Sequence, residues 1–436
     1  MRHAANLRST NFRYAVASSL ASKVTTAAVQ IIAMPIAAIA LGSHGFALYA
    51  MLTAAVGWLT LSNLGIGPTL VVRLAAAHVN GDLEAERSIF SSAFFPAFII
   101  SAAVSIAGVL VIWMLPIHNI FGPLYIADTH TIRWGLTALV TMFFLQANLS
   151  LFESAQAGYQ EQFVQNIIAT ISGIPCILAV LILAKQSPTP VDLILALNVP
   201  LVLFRCGNAA WIMSRHKHIY PSLTAFRWPI CKELVQNGAI FSLAGGVGNF
   251  LAHILPVILI GRAFNSEVSA SFAATMNAII LASGVISMLS TPLWPAIADS
   301  VARGDRDWAR KAYGRLLWSV MAFGLLTALF LAVKGDWLFH VWFKGQINPS
   351  QNLIFAAALY FLASCWEIAH FTILVGLHKI AVASMLVCIR AVLGIFATMI
   401  FLGVGNEANS FIIMFIAIIC VDFIPLRLLV LRKLSS

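Results

Sequence analysis

The amino-acid sequence predicts an all-α integral membrane protein with twelve transmembrane helices in two lobes of six. Of its 436 residues, 60% are hydrophobic and only 10% are charged, whereas ordinary soluble domains contain about 25% charged residues. Twelve apolar segments are long enough to cross a bilayer as helices, which takes about 20 residues each. The longest polar connection separates six segments from the other six. We therefore expect an N-terminal lobe over residues 1–213, a cytoplasmic linker over residues 214–233 and a C-terminal lobe over residues 234–436.

The predicted spans follow one another through short connections. Those of the first half cover residues 14–41, 46–72, 89–114, 134–156, 164–184 and 192–213. Those of the second half cover residues 234–261, 268–298, 316–338, 352–376, 380–404 and 410–430. With the N-terminus inside, eighteen Lys and Arg residues lie on the cytoplasmic side and five on the other. This positive-inside bias predicts that both termini are cytoplasmic. Together with the attraction of basic loops to anionic lipid, it accounts for the net charge of +10 without nucleic-acid binding.

Two Gly-Asp loops predict an internal repeat. Gly81-Asp82 follows the second apolar segment of the first half, and Gly304-Asp305 follows the second apolar segment of the other half. Glycine closes a helix in the left-handed conformation and aspartate caps the next helix, so each pair predicts a helix hairpin at a membrane face. Acidic residues that suit the helix dipole follow in each first turn: Glu84, Glu86 and Asp307.

A second pair of loops supports the same repeat. The separation of Gly158 and Gly376 in the sequence is nearly the same as that of the two Gly-Asp loops, and both glycines are expected to form turns between helices. Six helices in one half would then correspond to six helices with the same orientation in the other. We therefore expect two lobes related by a pseudo-twofold axis along the membrane normal.

The first predicted helix has a polar stripe. Ser19, Lys23, Thr26 and Gln30 follow at i, i+4, i+7 and i+11 and share one face. An ammonium group there costs about 2.5 to 3.5 kcal/mol on insertion scales unless it snorkels or faces water or a partner. Lys23 could snorkel to the cytoplasmic surface, but its polar neighbours favour a water-facing cavity.

The seventh predicted helix has a matching polar face. The shift in numbering that aligns the two Gly-Asp loops places Asn249 on Thr26 and His253 on Gln30. Two such faces could build a central transport site between the repeats. Small residues at a spacing of four also permit close helix packing as the alternative: Gly238, Ser242 and Gly246.

Ionisable residues lie inside five other predicted helices: Glu153, Arg205, Glu367, Arg390 and Asp422. A pair such as Arg390 with Asp422 would lower the cost of burying both charges. Structural ion pairs and substrate contacts therefore both remain open. His216 and His218 lie in the central connection, where we expect them to be solvated.

No pattern in the sequence predicts an enzyme or a cofactor. The chain has no phosphate-binding glycine loop followed by Lys-Ser or Lys-Thr, no GxSxG and no HExxH. The six cysteines lie mostly inside predicted helices without CxxC spacing, so neither a disulfide framework nor a zinc site is indicated.

Three segments carry a family resemblance. They are Leu41-Gly42 followed by Phe46 and Tyr49, the segment Asn63-Leu64-Gly65-Ile66-Gly67, and Pro292-Leu293-Trp294-Pro295 followed by Gly304-Asp305. With these segments, and with its helix count and loop pattern, the chain resembles polysaccharide and O-antigen flippases. Their superfamily also holds multidrug and toxin exporters and lipid II flippases.

The resemblance implies two six-helix lobes around a cavity that opens alternately to either side of the bacterial inner membrane. The implied cargo is an undecaprenyl-diphosphate-linked oligosaccharide for surface polysaccharide such as lipopolysaccharide O-antigen or exopolysaccharide. A polysaccharide polymerase and export machinery are possible partners under this resemblance. Candidates for the diphosphate are Lys23, Arg205, Arg262 and Arg390. Candidates for the sugars are Trp58, Asn249, His253 and Asn277, and Gln30 is a further candidate for binding the substrate.

One departure from the family bears on ion coupling. Family members often have Asp at the position of Asn63, and many drug exporters use a carboxylate in the first helix, which this first helix lacks. The carboxylates left for coupling or for structural ion pairs are Glu153, Glu367 and Asp422. A cation-coupled drug exporter of the same fold is one alternative, and a non-transporting subunit of a polysaccharide assembly complex is another.

Overall fold

The computed structural model describes residues 2–57, 65–236, 238, 250–290, 293, 297, 300–301, 303–377, 380–401 and 407–435. These residues form helices and connecting turns, and they contain no strand. Nine of the described helices are long and apolar enough to cross a membrane, and residues 385–400 form a shorter apolar helix. The predicted all-α membrane fold is therefore confirmed.

The helices of the first half are α1 Arg2–Ala55, α2 Ile66–Asn80, α3 Leu83–Met114, α4 His118–Phe121, α5 Thr129–Gly158, α6 Gln162–Leu183 and α7 Pro190–Arg215. Those of the second half are α8 Leu255–Ala263, α9 Ser266–Ser290, α10 Arg306–Trp342, α11 Gln351–Gly376, α12 Ile380–Phe401, α13 Ala408–Ala417 and α14 Phe423–Ser435. π-Helical turns precede α8 and α14, at Phe250–Ile254 and Ile418–Asp422. The predicted spans 89–114, 134–156, 192–213 and 352–376 lie inside α3, α5, α7 and α11, as expected.

The second predicted span differs from the expectation of one continuous helix. The chain continues from α1 through Gly42, which interrupts the helix with φ 66° and ψ 179°, and stays helical to Ala55. α2 begins at Ile66, directly after Gly65 with φ 57°. Both glycines have positive φ, which a residue without Cβ adopts without strain. The span 46–72 is therefore divided between the end of α1 and α2.

The chain forms two compact units. The first comprises Met1–Leu41, Val56–Ile117 and Asp128–Leu243, and the second comprises Gly42–Ala55, His118–Ala127 and Ala244–Ser436. Two short segments of the N-terminal half thus pack with the C-terminal half. Phe46, for example, lies edge-on to Phe343 with ring centroids 6.0 Å apart. The lobe boundaries at residues 213 and 234 stay a prediction.

The cores of the two units are built differently. In the first, apolar side chains from α2, α3, α5 and α7 meet in one cluster that includes Leu74, Phe90 and Phe152. In the second, 78% of the most apolar 18-residue stretch of α11 is buried, whereas the corresponding share is 17% to 39% in the other spanning helices of the described chain. α11 is therefore the central helix of its unit.

The two Gly-Asp hairpins have the same geometry, as predicted. Gly81 and Gly304 close their helices with φ 70° and 81°. The amide of the following aspartate donates to the carbonyl five residues earlier, at 3.3 Å for Asp82 and 2.8 Å for Asp305. Each aspartate carboxylate then accepts a hydrogen bond from the amide three residues further on, at 2.9 Å and 3.0 Å. The positions that the repeat aligns thus make equivalent hydrogen bonds.

The helices end at Gly158 and Gly376 and turns follow them, as expected, but each glycine is the last residue of its helix and neither has a positive φ. After α5, Gln160 takes the left-handed conformation instead, with φ 60°. A Cβ at position 158 would lie 3.2 Å from Leu74 Cβ and 3.3 Å from the Val71 carbonyl oxygen. Gly158 therefore permits close packing of α5 on α2.

Candidate functional site

The side of α1 that packs against α6 is defined by three residues. Ser18 accepts a hydrogen bond from Asn166 Nδ2 at 3.1 Å. The methyl groups of Thr25 and Val29 lie against Gly173, where an added Cβ would approach them to 2.7 Å and 3.1 Å. Ser18, Thr25 and Val29 are separated by seven and four residues, so they share one face of α1.

The polar stripe of α1 lies on a different face. Each residue turns an α-helix by about 100°, which places the stripe roughly 110° around α1 from the contact with α6. Thr26 and Gln30 are exposed and Lys23 is half-buried. Lys23 makes no ion pair within the part of the chain that the structure describes. The stripe is therefore not used for packing against α6, and its cation is not neutralised by a described carboxylate.

The first unit contains an ion pair between two candidate residues. Arg205 Nε on α7 lies 3.1 Å from Glu153 Oε1 on α5, with side-chain exposures of 26% and 12%. Arg205 Nη1 donates to Gln146 Oε1 at 3.4 Å, and Gln165 Nε2 donates to Glu153 Oε2 at 3.2 Å. The pair is thus embedded in amide side chains and keeps part of its guanidinium accessible.

The second unit contains a three-residue charge cluster. Arg390 Nη2 on α12 donates to Glu367 Oε1 on α11 at 2.9 Å. Arg390 Nε lies 2.9 Å from Asp422 Oδ2, in the π-helical turn before α14, as an ion pair without hydrogen-bond alignment. The guanidinium also bonds to the hydroxyl of the buried Tyr360. All three charged side chains are at most 12% exposed, so the cluster joins three helical segments in the interior of the unit.

Two further candidate residues that the structure describes, Arg262 and Asn277, lie outside these clusters. Arg262 is exposed in the last turn of α8. Asn277 on α9 is half-buried and donates to the carbonyl of Ala273 in its own helix at 2.9 Å. Trp58, Asn249 and the side chain of His253 lie outside the described residues.

The sequence did not reveal a buried polar cluster at the Gly81-Asp82 hairpin. Glu86 is completely buried and receives a hydrogen bond from the Tyr159 hydroxyl at 2.8 Å. His78 Nδ1 lies 3.1 Å from Glu86 Oε1, and His218 Nε2 lies 2.5 Å from Glu86 Oε2. Burial, and then the neighbouring carboxylate of Glu86, raise the pKa of Tyr159, which keeps its hydroxyl a donor.

The expectation that His216 and His218 are solvated is wrong, because their side chains are only 14% and 22% exposed. His216 stacks on Tyr159 with ring centroids 4.0 Å apart, and its Nε2 lies 3.3 Å from Glu161 Oε2. The carboxylates of Glu86 and Glu161 therefore hold the central connection against the first unit. One local signal existed: the hairpin fold itself brings His78 and Glu86 together.

A cavity of about 190 Å³ lies in the first unit beside the start of α2. It is lined by Gly65, Gly67, Ser101, Ser150 and Ser154, among others. The hydroxyls of Ser150 and Ser154 donate to carbonyls of their own helix. Small residues and hydroxyl oxygens thus surround a space next to one of the segments that carry the family resemblance.

Solved structures identify the fold as that of a membrane transporter. An inward-facing multidrug resistance MATE family transporter of the MOP superfamily is similar with a TM-score of 0.78 and 12% identity, over 97% of this chain and 99% of that chain. A eukaryotic MATE transporter is similar with a TM-score of 0.69 and 14% identity, over 98% of both chains. A MOP superfamily transporter from Pyrococcus furiosus gives 0.69 and 14%, over 97% and 96%. The chain therefore has the transporter fold of two six-helix lobes.

The sequence places the chain within a family. Residues 14–301 match the family described as polysaccharide biosynthesis protein. Because the match covers more than half of the chain, the protein belongs to this polysaccharide biosynthesis family. No curated protein matches the sequence significantly.

Proposed function

We propose that the protein translocates an undecaprenyl-diphosphate-linked oligosaccharide from the cytoplasmic to the periplasmic leaflet by alternating access. The observation that carries the proposal is the membership of a polysaccharide biosynthesis family combined with a transporter fold. A saccharide needs a polar path to cross a membrane through such a fold, and a lipid carrier would keep it attached to the bilayer. A lipid-linked saccharide would use both. The protein would act in the bacterial inner membrane with both termini cytoplasmic, as the positive-inside bias predicts.

Lys23 is the first candidate for the diphosphate. A diphosphate needs cations that are not already neutralised, and Lys23 has no ionic partner within the described residues. It shares its face of α1 with Thr26 and Gln30, whose polar groups are exposed. The Gln30 amide can donate to phosphate and sugar oxygens, and the Thr26 hydroxyl, which donates to the Ser22 carbonyl at 2.9 Å, can accept from a sugar hydroxyl. The stripe therefore combines a charge and hydrogen-bonding groups on one helix.

Arg205 and Arg390 are assigned different roles. Arg205 is partly exposed and pairs with one carboxylate, Glu153, so it can contact an anion without losing its partner. Arg390 is buried between Glu367 and Asp422. Removing one partner from such a buried ion pair is strongly destabilising, so we assign Arg390 to holding its unit together. The carboxylates of both clusters remain the candidates for ion coupling.

The test is made in cells that depend on this protein for surface polysaccharide. Lys23→Gln removes the charge, Lys23→Arg keeps it, and Arg87→Gln serves as a matched control because Arg87 is exposed at the start of α3. Membrane levels are confirmed for each variant. Lipid-linked oligosaccharide on the outer leaflet is measured in spheroplasts with a lectin that does not cross the membrane.

Lys23→Gln should retain the oligosaccharide on the inner leaflet and reduce surface polysaccharide, whereas Lys23→Arg and Arg87→Gln should behave like the wild type. Normal surface polysaccharide in Lys23→Gln would remove Lys23 from the site. An unchanged leaflet distribution in a deletion strain that lacks other flippases would sink the flippase proposal itself. If the strain with the protein exports organic cations and the deletion strain does not, the drug exporter is favoured.

A further inference from the structure

A cluster of aromatic and basic side chains lies where α3 ends and α5 begins, in the first unit. Trp113 and Trp134 are 41% and 48% exposed, and their rings meet edge to face at 5.6 Å. α3 has 32 residues and is about 48 Å long at 1.5 Å per residue. The cluster therefore lies at the opposite end of α3 from the Gly81-Asp82 hairpin, on the face predicted to be periplasmic.

Hydrogen bonds fix both indole rings. Trp113 Nε1 donates to Thr137 Oγ1 at 3.1 Å, and the Thr137 hydroxyl donates to the Arg133 carbonyl at 2.7 Å. Trp134 Nε1 donates to His130 Nε2 at 3.0 Å. An indole N–H can only donate, so His130 Nε2 accepts and carries no proton. Arg133 is therefore the fixed positive charge of the cluster.

The charge of Arg133 is not neutralised by a carboxylate within the described structure. Its guanidinium carbon lies 5.5 Å from the centroid of the Trp113 ring. The buried Nε has no hydrogen-bond partner, and no carboxylate of the described residues pairs with the guanidinium. A cation that lies over an indole and has no carboxylate partner is complementary to an oxyanion.

Exposed apolar residues lie next to Trp113 in the sequence, at the end of α3. Val111, Met114 and Leu115 are 47%, 78% and 48% exposed. The end of α3 that carries Trp113, the ring under Arg133, thus also exposes aliphatic side chains. Tryptophan is enriched where the acyl and headgroup regions of a bilayer meet. A cation at an exposed apolar helix end is complementary to a phospholipid, in which an anionic phosphate adjoins acyl chains.

We propose that Arg133, Trp113 and Trp134 form a binding site for the phosphate of an anionic phospholipid in the leaflet opposite the Gly81-Asp82 hairpin. The site does not depend on the transported cargo. Arg133 binds the phosphate oxygens and the two indoles pack beside the upper acyl chain. Without such a lipid the same tryptophans would act only as interfacial anchors, which would show no preference for headgroup charge.

The experiment uses the full-length protein in nanodiscs of phosphatidylcholine and phosphatidylglycerol in equal parts, with bromine on the acyl chains of one lipid or the other. Bromine quenches tryptophan fluorescence on contact. The part of the quenching that is lost in Trp113→Phe/Trp134→Phe reports on this cluster. Arg133→Gln, Arg133→Lys and the control Lys334→Gln are compared, since Lys334 is exposed near Trp337 on the same predicted face.

Wild-type protein should be quenched more by brominated phosphatidylglycerol than by brominated phosphatidylcholine. Arg133→Gln should lower the apparent affinity for phosphatidylglycerol about fivefold, since one basic residue near an anionic surface contributes about 1 kcal/mol. Arg133→Lys and Lys334→Gln should keep the preference. Equal quenching by both lipids in the wild type would reduce the tryptophans to anchors and overturn the proposal. Displacement of phosphatidylglycerol by inorganic phosphate would show a site for the free ion and also overturn it.

Discussion

The buried charges of the two units are arranged differently, although each unit contains one Gly-Asp hairpin. In the first, Glu153 and Arg205 balance one another and are 12% and 26% exposed. In the second, Arg390 is 5% exposed and faces two carboxylates, Glu367 and Asp422. The first unit therefore has a neutral and accessible pair, whereas the second has a buried cluster with one carboxylate in excess. With the proposed anionic cargo, this difference would suit the first unit to contact the cargo and the second to remain rigid or take up a cation.

The largest effect is expected at Arg390. Arg390→Gln leaves two buried carboxylates without their cation, which should cost about 3 to 5 kcal/mol of folding free energy. The measurement is the thermal unfolding midpoint of the detergent-solubilised protein, with the yield in membranes as a second readout. Replacing all three charges with apolar residues, as Arg390→Met, Glu367→Leu and Asp422→Leu together, should recover most of the loss.

Arg205→Gln is the matched comparison in the first unit. Because the Arg205 side chain is 26% exposed and Gln165 still donates to Glu153, its effect should be clearly smaller than that of Arg390→Gln. Equal losses of stability in the two variants would break the proposed contrast between an accessible pair and a buried cluster.

A second contrast lies between α3 and α5 in one unit and α10 and α11 in the other. Phe90 and Phe152 pack with ring centroids 5.1 Å apart. The alignment of the Gly-Asp hairpins places Phe90 on Tyr313, and the alignment of the second loop pair places Phe152 on His370. The Tyr313 and His370 rings are 5.5 Å apart. His370 Nδ1 lies 2.8 Å from the Trp366 carbonyl oxygen, so this nitrogen donates. His370 Nε2 must then accept from the Tyr313 hydroxyl at 2.7 Å.

Tyr313→Phe should therefore leave a buried acceptor unsatisfied and lower the free energy of unfolding by about 1 to 3 kcal/mol. The double variant Tyr313→Phe/His370→Phe reproduces the aromatic pair of the first unit and should lose less than the single variant. Thermal unfolding of both singles and the double closes the cycle. Additive losses would show that the hydrogen bond contributes no coupling.

The sequence predicted those features that depend on neighbouring residues. Helix spans and helix caps follow from local composition and spacing. The spans inside α3, α5, α7 and α11 and the caps at Asp82 and Asp305 are confirmed. The cluster at Glu86 was not predictable in this way, because Tyr159 and His218 lie 73 and 132 residues away. Their burial depends on how hairpins pack against one another, for which no local pattern exists.

The ion pairs were predictable only in part. A buried charge needs a partner, so pairing was expected, and Arg390 with Asp422 was one expected pair. The second partner, Glu367, could not be chosen from the sequence because it depends on the rotation of α11 about its axis. Gly158 shows the same limit: its role is set by the surface of α2 and not by the turn that follows it.

The two hairpins provide a test of equivalence with a smaller effect. Asp82→Ala and Asp305→Ala each remove one cap hydrogen bond, and each should lower the free energy of unfolding by about 1 kcal/mol. The matched controls are Asp82→Asn and Asp305→Asn, which keep a capping oxygen and should be nearly neutral. Thermal unfolding of the solubilised protein measures all four variants. A large loss at only one loop would contradict the equivalence of the two hairpins.

The smallest effect, with the opposite sign to Arg390→Gln, is expected for Asp422→Asn. Arg390 would keep its hydrogen bond to Glu367, and the excess negative charge of the cluster would disappear. The Asp422 oxygens have no hydrogen-bond partner among the described residues, so the carboxylate contributes only its charge. Thermal stability should therefore stay the same or rise slightly. If the cluster instead takes up a cation during transport, the same variant should lose flipping activity while its stability is unchanged. A marked loss of stability would show that Asp422 is a structural partner that Arg390 cannot lose.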